Sequence, residues 1–238
     1  MSLKNLIGKN FIIYKIYLYY NLFLKHKAYK KRDYYSQWGE DLFINDYFKN
    51  IQKGFYVDIG SYHPVMYSNT CLLFNKGWRG MNVDLNQTSI DLFNIMRPRD
   101  FNVCAAISDR EEERDLFFDH PFSPVNTIEE TFYNKSNKKL AFRNFKKRKI
   151  KTKKFENIVK EISDISKIDF LNIDCEGFDY FVLKGFNLEK YAPMLICIEL
   201  YSSGGEKTER YDDIIGLLNK NRYRFVKKSG PSSFFEKR

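Results

Sequence analysis

Three residues, Asp58, Gly60 and Asp84, have the types and spacing that a nucleoside-binding site requires. Asp58 and Gly60 lie at the end of the apolar run 55–59, which predicts a buried strand. A glycine at this place lets the chain turn sharply and lets a ligand approach the backbone. Asp84 ends the next apolar run, where a carboxylate can accept both hydroxyls of a ribose. A helix N-cap or a turn is the alternative for Asp84, and the spacing favours ribose binding.

A second group of acids follows a later apolar run, 168–173. Asp174 and Glu176 share one tight turn before Gly177, and crowded carboxylates raise each other's pKa toward neutrality. Such a pair can take a proton from a hydroxyl, or it can hold Mg²⁺ through its oxygens. Alternatively, Asp174 caps the helix that follows. His63, just past the first glycine turn, is a further candidate base, although a single histidine is equally typical of a core or surface position.

Hydrophobic spacing predicts the elements that must position these residues. Short apolar runs predict strands at 55–59, 80–84, 101–107, 114–118, 168–173 and 194–199. Apolar residues at helical spacing predict helices at 67–76, 89–96, 180–184 and 211–220, and another that begins after an N-cap at Ser36. Residues 223–226 and 233–235 predict a terminal hairpin. This alternation predicts an α/β fold, a doubly wound and mostly parallel sheet closed by an antiparallel terminal strand.

The composition is that of one main domain, over residues 33–238. Of the 238 residues, 43% are hydrophobic, which is enough for a large single core. The four cysteines are scattered through apolar stretches and form no CxxC or Cys/His cluster. The sequence therefore supports neither a disulfide framework nor a zinc site, and it indicates a reduced, cytosolic protein.

The net charge of +10 is concentrated in two segments. Residues 1–32 contain eight Lys or Arg, residues 131–154 contain eleven, and neither segment contains an acid. The rest of the chain is therefore acidic, which argues against a surface that coats nucleic acid uniformly. The second segment belongs to a basic insertion at about 110–154, with a loop at 120–125 and polar, basic residues, helical or mobile, at 128–149. By default this is a solvated lobe, and its position makes it a candidate lid or acceptor-binding element.

The amino-terminal segment contains a dense aromatic and aliphatic run, Asn10–Leu24. A spanning helix needs about 20 apolar residues, and this run is shorter. No small-residue cleavage site follows it, which argues against a signal peptide. A basic cluster follows directly: Lys25, Lys27, Lys30, Lys31 and Arg32. Two interpretations stay open, a helix lying in the face of an anionic membrane and a helix packed on the domain or on a dimer partner.

Several short motifs together resemble the FkbM family of methyltransferases. They are SQWGED (36–41), GFYVDIGSYHP (54–64), SNT (68–70), GWRGMNVD (77–84), RPRD (97–100), FLNIDCEG (170–177) and the strand end at Glu199. They occur in the family's order and cover nearly everything from Tyr34 onward. Two places depart from the family pattern. Asn126-Thr127 stands where the family often has Ser-Thr, and Lys153-Lys154 replaces a Thr-Leu pair, both beside the basic insertion.

The resemblance implies a Rossmann-like class I methyltransferase that uses S-adenosyl-L-methionine to methylate a hydroxyl oxygen. Sugars of surface glycans and polyketide-type products are the usual acceptors. The site residues that it implies are Asp58, Gly60 and Ser61 along the amino-acid and ribose part of the cofactor, Asp84 at the ribose hydroxyls, Ala105 and Ala106 beside the adenine, and Gln37 and Glu40 closing the pocket. Small side chains at 104–106 also leave room for a flat ring, although ordinary strand packing explains them as well.

Methyl transfer is an in-line displacement that needs positioning more than covalent help, and an alcohol needs a nearby base. Asp174 with Glu176 is the first choice for that base, and His63 is the other candidate. The expected acceptor is a glycan, free or linked to a lipid or a nucleotide, in surface-polysaccharide assembly. We expect a cytoplasmic enzyme, and the membrane interpretation of residues 1–32 would give it a peripheral position on the inner membrane face.

Two other functions compete with this one. A nucleic-acid methyltransferase would use the basic residues 131–154, which lack interleaved stacking aromatics. A non-catalytic binding module would keep the fold and the nucleoside pocket, and the intact DCEG (174–177) and Asp84 argue against it. Nucleic acid is therefore not an expected partner, and the sequence gives no oligomeric state.

Overall fold

The computed structural model describes residues 10–27, 32–118, 126–131, 133–134, 146–162 and 165–238. Its strands are β1 (Phe55–Ile59), β2 (Arg79–Asp84), β3 (Phe101–Cys104), β4 (Ala106–Ile107), β5 (Glu113–Phe118), β6 (Lys146–Lys153), β7 (Phe170–Ile173), β8 (Leu195–Glu199), β9 (Tyr223–Ser229) and β10 (Ser232–Lys237). Its main helices are α1 (Phe11–Tyr20, continued by a π-helical turn Asn21–Lys25), α2 (Glu40–Tyr47), α3 (Cys71–Asn75), α4 (Gln87–Met96), α5 (Phe155–Ile162), α6 (Asp179–Gly185), α7 (Leu188–Tyr191) and α8 (Tyr211–Lys220).

A seven-stranded sheet is the centre of the fold, with the strand order β3-β2-β1-β7-β8-β10-β9. The first five strands in this order are parallel to their neighbours. β10 runs antiparallel to both β8 and β9. The predicted fold, a mostly parallel α/β sheet with an antiparallel terminal strand, is confirmed.

The two faces of the sheet carry separate apolar clusters, because successive side chains of a strand point to opposite faces. Val57 belongs to a large cluster that includes Ile158 of α5, Leu183 of α6 and Ile214 of α8. Tyr56 belongs to a smaller cluster with Ile44 of α2 and other residues, Phe48, Leu73 and Trp78 among them. Helices therefore cover both faces, which leaves the carboxyl ends of the parallel strands as the edge where a ligand can bind.

A buried arginine organises the polar residues on the Tyr56 face. Arg97 donates to Tyr56 OH (3.1 Å), Thr70 Oγ1 (2.9 Å) and Ser68 Oγ (3.0 Å), and to the carbonyl oxygen of Pro64 (2.5 Å). Asp58 and Asp100 lie in the same set, which we call the Arg97 network: Tyr56, Asp58, Ser68, Thr70, Asn82, Arg97 and Asp100. It fixes the loop after β1 to the sheet.

One predicted helix is shorter than expected because of the Arg97 network. The spacing predicts a helix over 67–76, but α3 begins only at Cys71. The preceding residues are used in the loop, where Tyr67 has a φ of 57° and Ser68 and Thr70 accept hydrogen bonds from Arg97. Apolar spacing does not reveal side chains that bind a distant arginine.

The predicted N-cap at Ser36 is also wrong. α2 begins at Glu40, after Gly39 with a φ of 79°. Ser36 instead exchanges hydrogen bonds with Asp41, donating through Oγ to Oδ1 (2.6 Å) and accepting from the Asp41 backbone N–H (3.3 Å).

A second, three-stranded sheet has the order β4-β6-β5. The predicted strand 101–107 is divided at Ala105, whose N–H donates to the Asp84 carbonyl (3.0 Å) before the chain crosses to this sheet. The basic residues 146–149, expected to be helical or mobile, are part of β6. The predicted loop 120–125 and residues 135–145 lie outside the described residues.

Side-chain packing explains why so basic a stretch forms a strand. Thr152 is buried and donates to the Arg110 carbonyl (2.8 Å), which fixes one end of β6. The charged ends of Lys147 and Arg148 lie over the rings of Phe117 and Phe118 of β5. These long side chains cover the aromatic rings while their charges stay in water.

The amino-terminal helix packs one face on the domain. Leu18 and Leu22 contact Leu92 of α4, and Tyr14 donates to Asp91. Among the described residues, no helix is both long enough and apolar enough to cross a bilayer.

Candidate active site

The carboxyl edge of the parallel strands brings together residues that are far apart in sequence. Ile59 pairs with Val83 and with Ile173, and Ile173 pairs with Ile198. The strands β2, β1, β7 and β8 therefore end side by side, at Asp84, Gly60, Asp174 and Glu199 in that order. A cavity of about 280 Å³ opens at this edge.

Seven of the predicted site residues line this cavity: Gln37, Gly60, Asp84, Ala105, Ala106, Asp174 and Glu176. The other four lie outside its lining: Glu40, Asp58, Ser61 and His63. The lining residues within the described ranges include three acids and no Lys or Arg. The cavity is therefore suited to a ligand that carries positive charge.

Asp84 is held in place by the backbone. Its Oδ2 accepts from the N–H of Tyr62 (2.9 Å) and its Oδ1 from the N–H of Asn86 (2.7 Å). Each oxygen keeps a further lone pair with which it can accept a hydroxyl. Burial raises the pKa of Asp84 to about 6, so the group is mostly ionised near neutral pH.

Gly60 is required because the end of β1 lies against the end of β7, which leaves no room for a side chain. Its φ is 83°, and a Cβ at this position would lie 1.7 Å from the Asp174 carbonyl oxygen. The predicted sharp turn is present, but the space beside the glycine is taken by Asp174 rather than by a ligand. Ser61 is not among the lining residues, and its Oγ donates to the Val83 carbonyl (3.3 Å).

The wall beyond Asp84 is apolar. Ala105 and Ala106 line it together with Leu85, Ile107 and Ile128. Their small and aliphatic side chains leave space against the backbone where β3 passes into β4. This is the position that the sequence predicts for a planar ring.

Three acids, which we call the edge carboxylates, lie at neighbouring strand ends: Asp174 and Glu176 on the turn after β7, and Glu199 at the end of β8. Asp179 holds this turn, because its Oδ1 accepts from the Cys175 N–H (3.0 Å) and its Oδ2 from the Gly177 N–H (3.1 Å). Asp174 is therefore not the helix cap. Its side chain opens into the cavity.

The edge carboxylates share an environment that opposes ionisation. Burial, followed by the neighbouring charges of Asp179 and Asp58, raises the pKa of Asp174 to about 7. Burial and Asp174 raise the pKa of Glu176 and of Glu199 further above the usual range. Within the described part of the chain, no residue donates a hydrogen bond to the Asp174 carboxylate. A carboxylate with these properties can hold a proton near neutral pH.

Glu199 is the acid that the sequence reading left without a role. It ends β8, beside the end of β7. A strand ending in an acid is a visible signal, but only the strand order shows that this acid lies next to Asp174.

Glu40 and Asp58 lie behind the cavity. Glu40 is buried, and its Oε2 accepts from the Trp38 N–H (2.7 Å). Asp58 is buried on the Tyr56 face, where it accepts from Thr70 Oγ1 (2.7 Å) and Asn172 Nδ2 (2.9 Å). Their charges contribute to the raised pKa of Asp174, whereas Gln37 is the residue from 36–41 that reaches the lining.

His63 has an environment different from the predicted one. Its Nδ1 accepts from the N–H groups of Val65 (3.1 Å) and Met66 (2.9 Å), and its Nε2 lies 3.0 Å from Asn21 Oδ1. Burial lowers its pKa to about 3. Both ring nitrogens are thus engaged in a crevice beside α1, and we assign no proton transfer to His63.

Sequence reasoning also missed residues in the loops around the cavity. Tyr62 has a φ of 48°, a conformation that is strained for a tyrosine, and its N–H orients Asp84. Thr127 donates to the Glu176 carbonyl (3.0 Å), and Asn126 lines the cavity. The pair 126–127, where the chain departs from the family pattern, therefore adjoins the edge carboxylates. No group of three or more metal-ligating side chains occurs among the residues that the structure describes.

Comparison with known proteins agrees with this geometry. The family model described as the methyltransferase FkbM domain matches residues 58–225. No curated protein matches the chain. The matched region runs from β1 to β9 and includes the strand ends around the cavity, and this domain has a class I methyltransferase fold. Because the match covers more than half of the chain, the chain belongs to the FkbM methyltransferase family.

Proposed function

We propose that the protein is an S-adenosyl-L-methionine-dependent O-methyltransferase that acts on a hydroxyl of a sugar, in a surface glycan or in its lipid- or nucleotide-linked precursor. The observation that carries this proposal is the cavity at the carboxyl edge. This cavity has Asp84 beside Gly60, and its lining in the described part of the chain contains acids and no Lys or Arg.

The residues present fit the methyl donor. Asp84 would hold the ribose hydroxyls, Ala105 and Ala106 would flank the adenine, and the acids of the lining suit the positive charge of a sulfonium and an ammonium group. When bound, the donor supplies an activated methyl group. The backbone hydrogen bonds to Asp84 preorganise the site before a ligand arrives.

The acceptor hydroxyl needs a group that takes its proton, and Asp174 is our choice for it. Its pKa of about 7 lets the carboxylate accept a proton near neutral pH. Glu176, on the same turn, lines the cavity and would hold the hydroxyl in place. Asp179 fixes the turn and thus the position of both acids.

The basic strand β6 supports an acceptor that carries phosphate. Six of its eight residues are Lys or Arg. β6 pairs with β4, whose Ala106 and Ile107 line the cavity. A sugar linked to a nucleotide or a lipid phosphate would meet these charges next to the site.

The direct test uses donor with an isotopically labelled methyl group and a panel of free sugars and nucleotide-linked sugars, analysed by mass spectrometry. We expect label on a sugar oxygen, with the nucleotide-linked sugars preferred. Label on carbon or nitrogen, or no transfer from this donor to any member of a broad panel, would contradict the proposal. Transfer to RNA would instead favour the nucleic-acid alternative.

A further inference from the structure

We propose that α1 docks the protein on the surface of an anionic phospholipid bilayer. The first observation is the composition of this helix. Among the residues of FIIYKIYLYY, only Lys15 is charged. A helix that is apolar on all sides needs apolar partners on all sides. The chain supplies one, since Leu18 and Leu22 pack against Leu92.

The opposite face of α1 and its π-helical continuation is exposed. Ile12 is 68% exposed, Ile16 63% and Leu24 61%. More than half of the large hydrophobic side chains that are exposed in the described residues lie between residues 11 and 24. Single exposed apolar residues are normal, but a contiguous apolar face marks a site of interaction.

The helix is fixed to the domain next to the active site. Asn21 contacts His63 (3.0 Å between Oδ1 and Nε2), and the rings of His26 and His63 pack edge to face. The crevice between α1 and the domain is lined by Tyr62 and Asn86, which also line the main cavity. A surface that binds α1 therefore lies close to the site of methyl transfer.

The positive charge of residues 1–32 indicates that an anionic bilayer binds the exposed face of α1. Residues 1–32 contain eight Lys or Arg and no acid, and Lys25 and Lys27 directly follow the exposed stretch. A second copy of this chain, in a two-fold contact between the two α1 helices, would bring these positive charges together. An anionic bilayer accepts both the apolar face and the lysines, and α1 is too short to cross it.

The test is flotation of the full chain with vesicles of equal parts phosphatidylglycerol and phosphatidylcholine, and with vesicles of phosphatidylcholine alone. We expect the wild-type protein to float with the anionic vesicles, and the double variant Ile12→Gln, Ile16→Gln to bind them about tenfold more weakly. The matched control, Phe225→Gln with Val226→Gln, removes two exposed apolar side chains of β9 and should bind as the wild type does.

A second double variant, Lys25→Gln with Lys27→Gln, separates charge from apolar burial. It should weaken binding to the anionic vesicles about fivefold and leave the weak binding to phosphatidylcholine unchanged. Circular dichroism checks that each variant is folded. Equal flotation of the wild type and the Ile12→Gln, Ile16→Gln variant would overturn the proposal. So would the absence of wild-type flotation, or a wild-type dimer that the same variant dissociates.

Discussion

The acids of the Arg97 network and the edge carboxylates have different surroundings: Asp58 and Asp100 are buried, whereas Asp174 and Glu176 line the cavity. In the network, Asp58 accepts from Thr70 and Asn172, and Asp100 accepts from Tyr56 OH (2.5 Å) and Asn82 Nδ2 (3.2 Å). At the edge, acids crowd one another around a cavity. Burial of a charge is costly unless donors satisfy it. The difference indicates that the network holds the fold and that the edge keeps its acids for a ligand.

The largest expected effect is on activity, from Asp174→Asn. This change keeps the shape of the side chain but removes the carboxylate that we propose as the proton acceptor, so we expect kcat to fall about 100- to 10,000-fold. The free energy of unfolding should stay the same or rise, because one of several crowded acids is removed. Full activity, or a strongly destabilised variant, would contradict the division between the two sets of acids.

The converse change is Arg97→Met, in the network. It leaves buried acids without their cation and should lower the free energy of unfolding by about 3–5 kcal/mol. Urea unfolding measures this loss, with the surface variant Arg99→Met as the control. A variant as stable as the wild-type protein would show that the network does not hold the fold.

A smaller effect is expected in the pH dependence of stability. The pKa of Asp174 is about 7 in the folded protein and near 4 in an unfolded chain, so the folded state binds more protons between these values. Asp174 thus lowers the free energy of unfolding as the pH rises from about 4 to about 7. His63, with a pKa lowered to about 3, acts in the opposite direction, so the wild type alone is not informative.

The informative quantity is the stability of Asp174→Asn minus that of the wild type, measured by urea unfolding across this range. We expect the difference to increase with pH. A constant difference would show that the pKa of Asp174 is close to its ordinary value.

The smallest effect is expected from Glu199→Gln. The pKa of Glu199 is raised well above neutrality, so its carboxyl group is already uncharged at pH 7 and glutamine resembles it. The change in kcat should be less than about threefold. A loss as large as that of Asp174→Asn would make Glu199 the proton acceptor and Asp174 its neighbour.

The features that depend on local sequence patterns, the strands of the main sheet and several helices around it, were predicted from the sequence. Short apolar runs identified the strands of the main sheet, and helical spacing identified α8 with its observed bounds. Asp84 and Gly60 were placed together because carboxyl ends of parallel strands share an edge. These inferences need only short-range patterns and a general rule of topology.

Long-range polar contacts could not be predicted in this way. Neither Arg97 nor Thr70 shows in sequence that the two are hydrogen-bonded, and the late start of α3 depends on that contact. His63 looked like a candidate base because of its place after the glycine turn, and only the structure shows its nitrogens bound beside α1. The position of Glu199 beside Asp174 follows only from the strand order, and the formation of β6 follows only from its pairing with β5.

The central claim is that the edge cavity binds the nucleoside of the methyl donor through Asp84. Titration calorimetry with S-adenosylhomocysteine tests it most directly, on the wild-type protein, on Asp84→Ala and on the exposed control Asp212→Ala. We predict binding to the wild type and to the control, and an affinity roughly 10- to 100-fold lower for Asp84→Ala, the loss of hydrogen bonds to one charged group. No heat of binding to the wild type, or equal affinities for all three proteins, would contradict it.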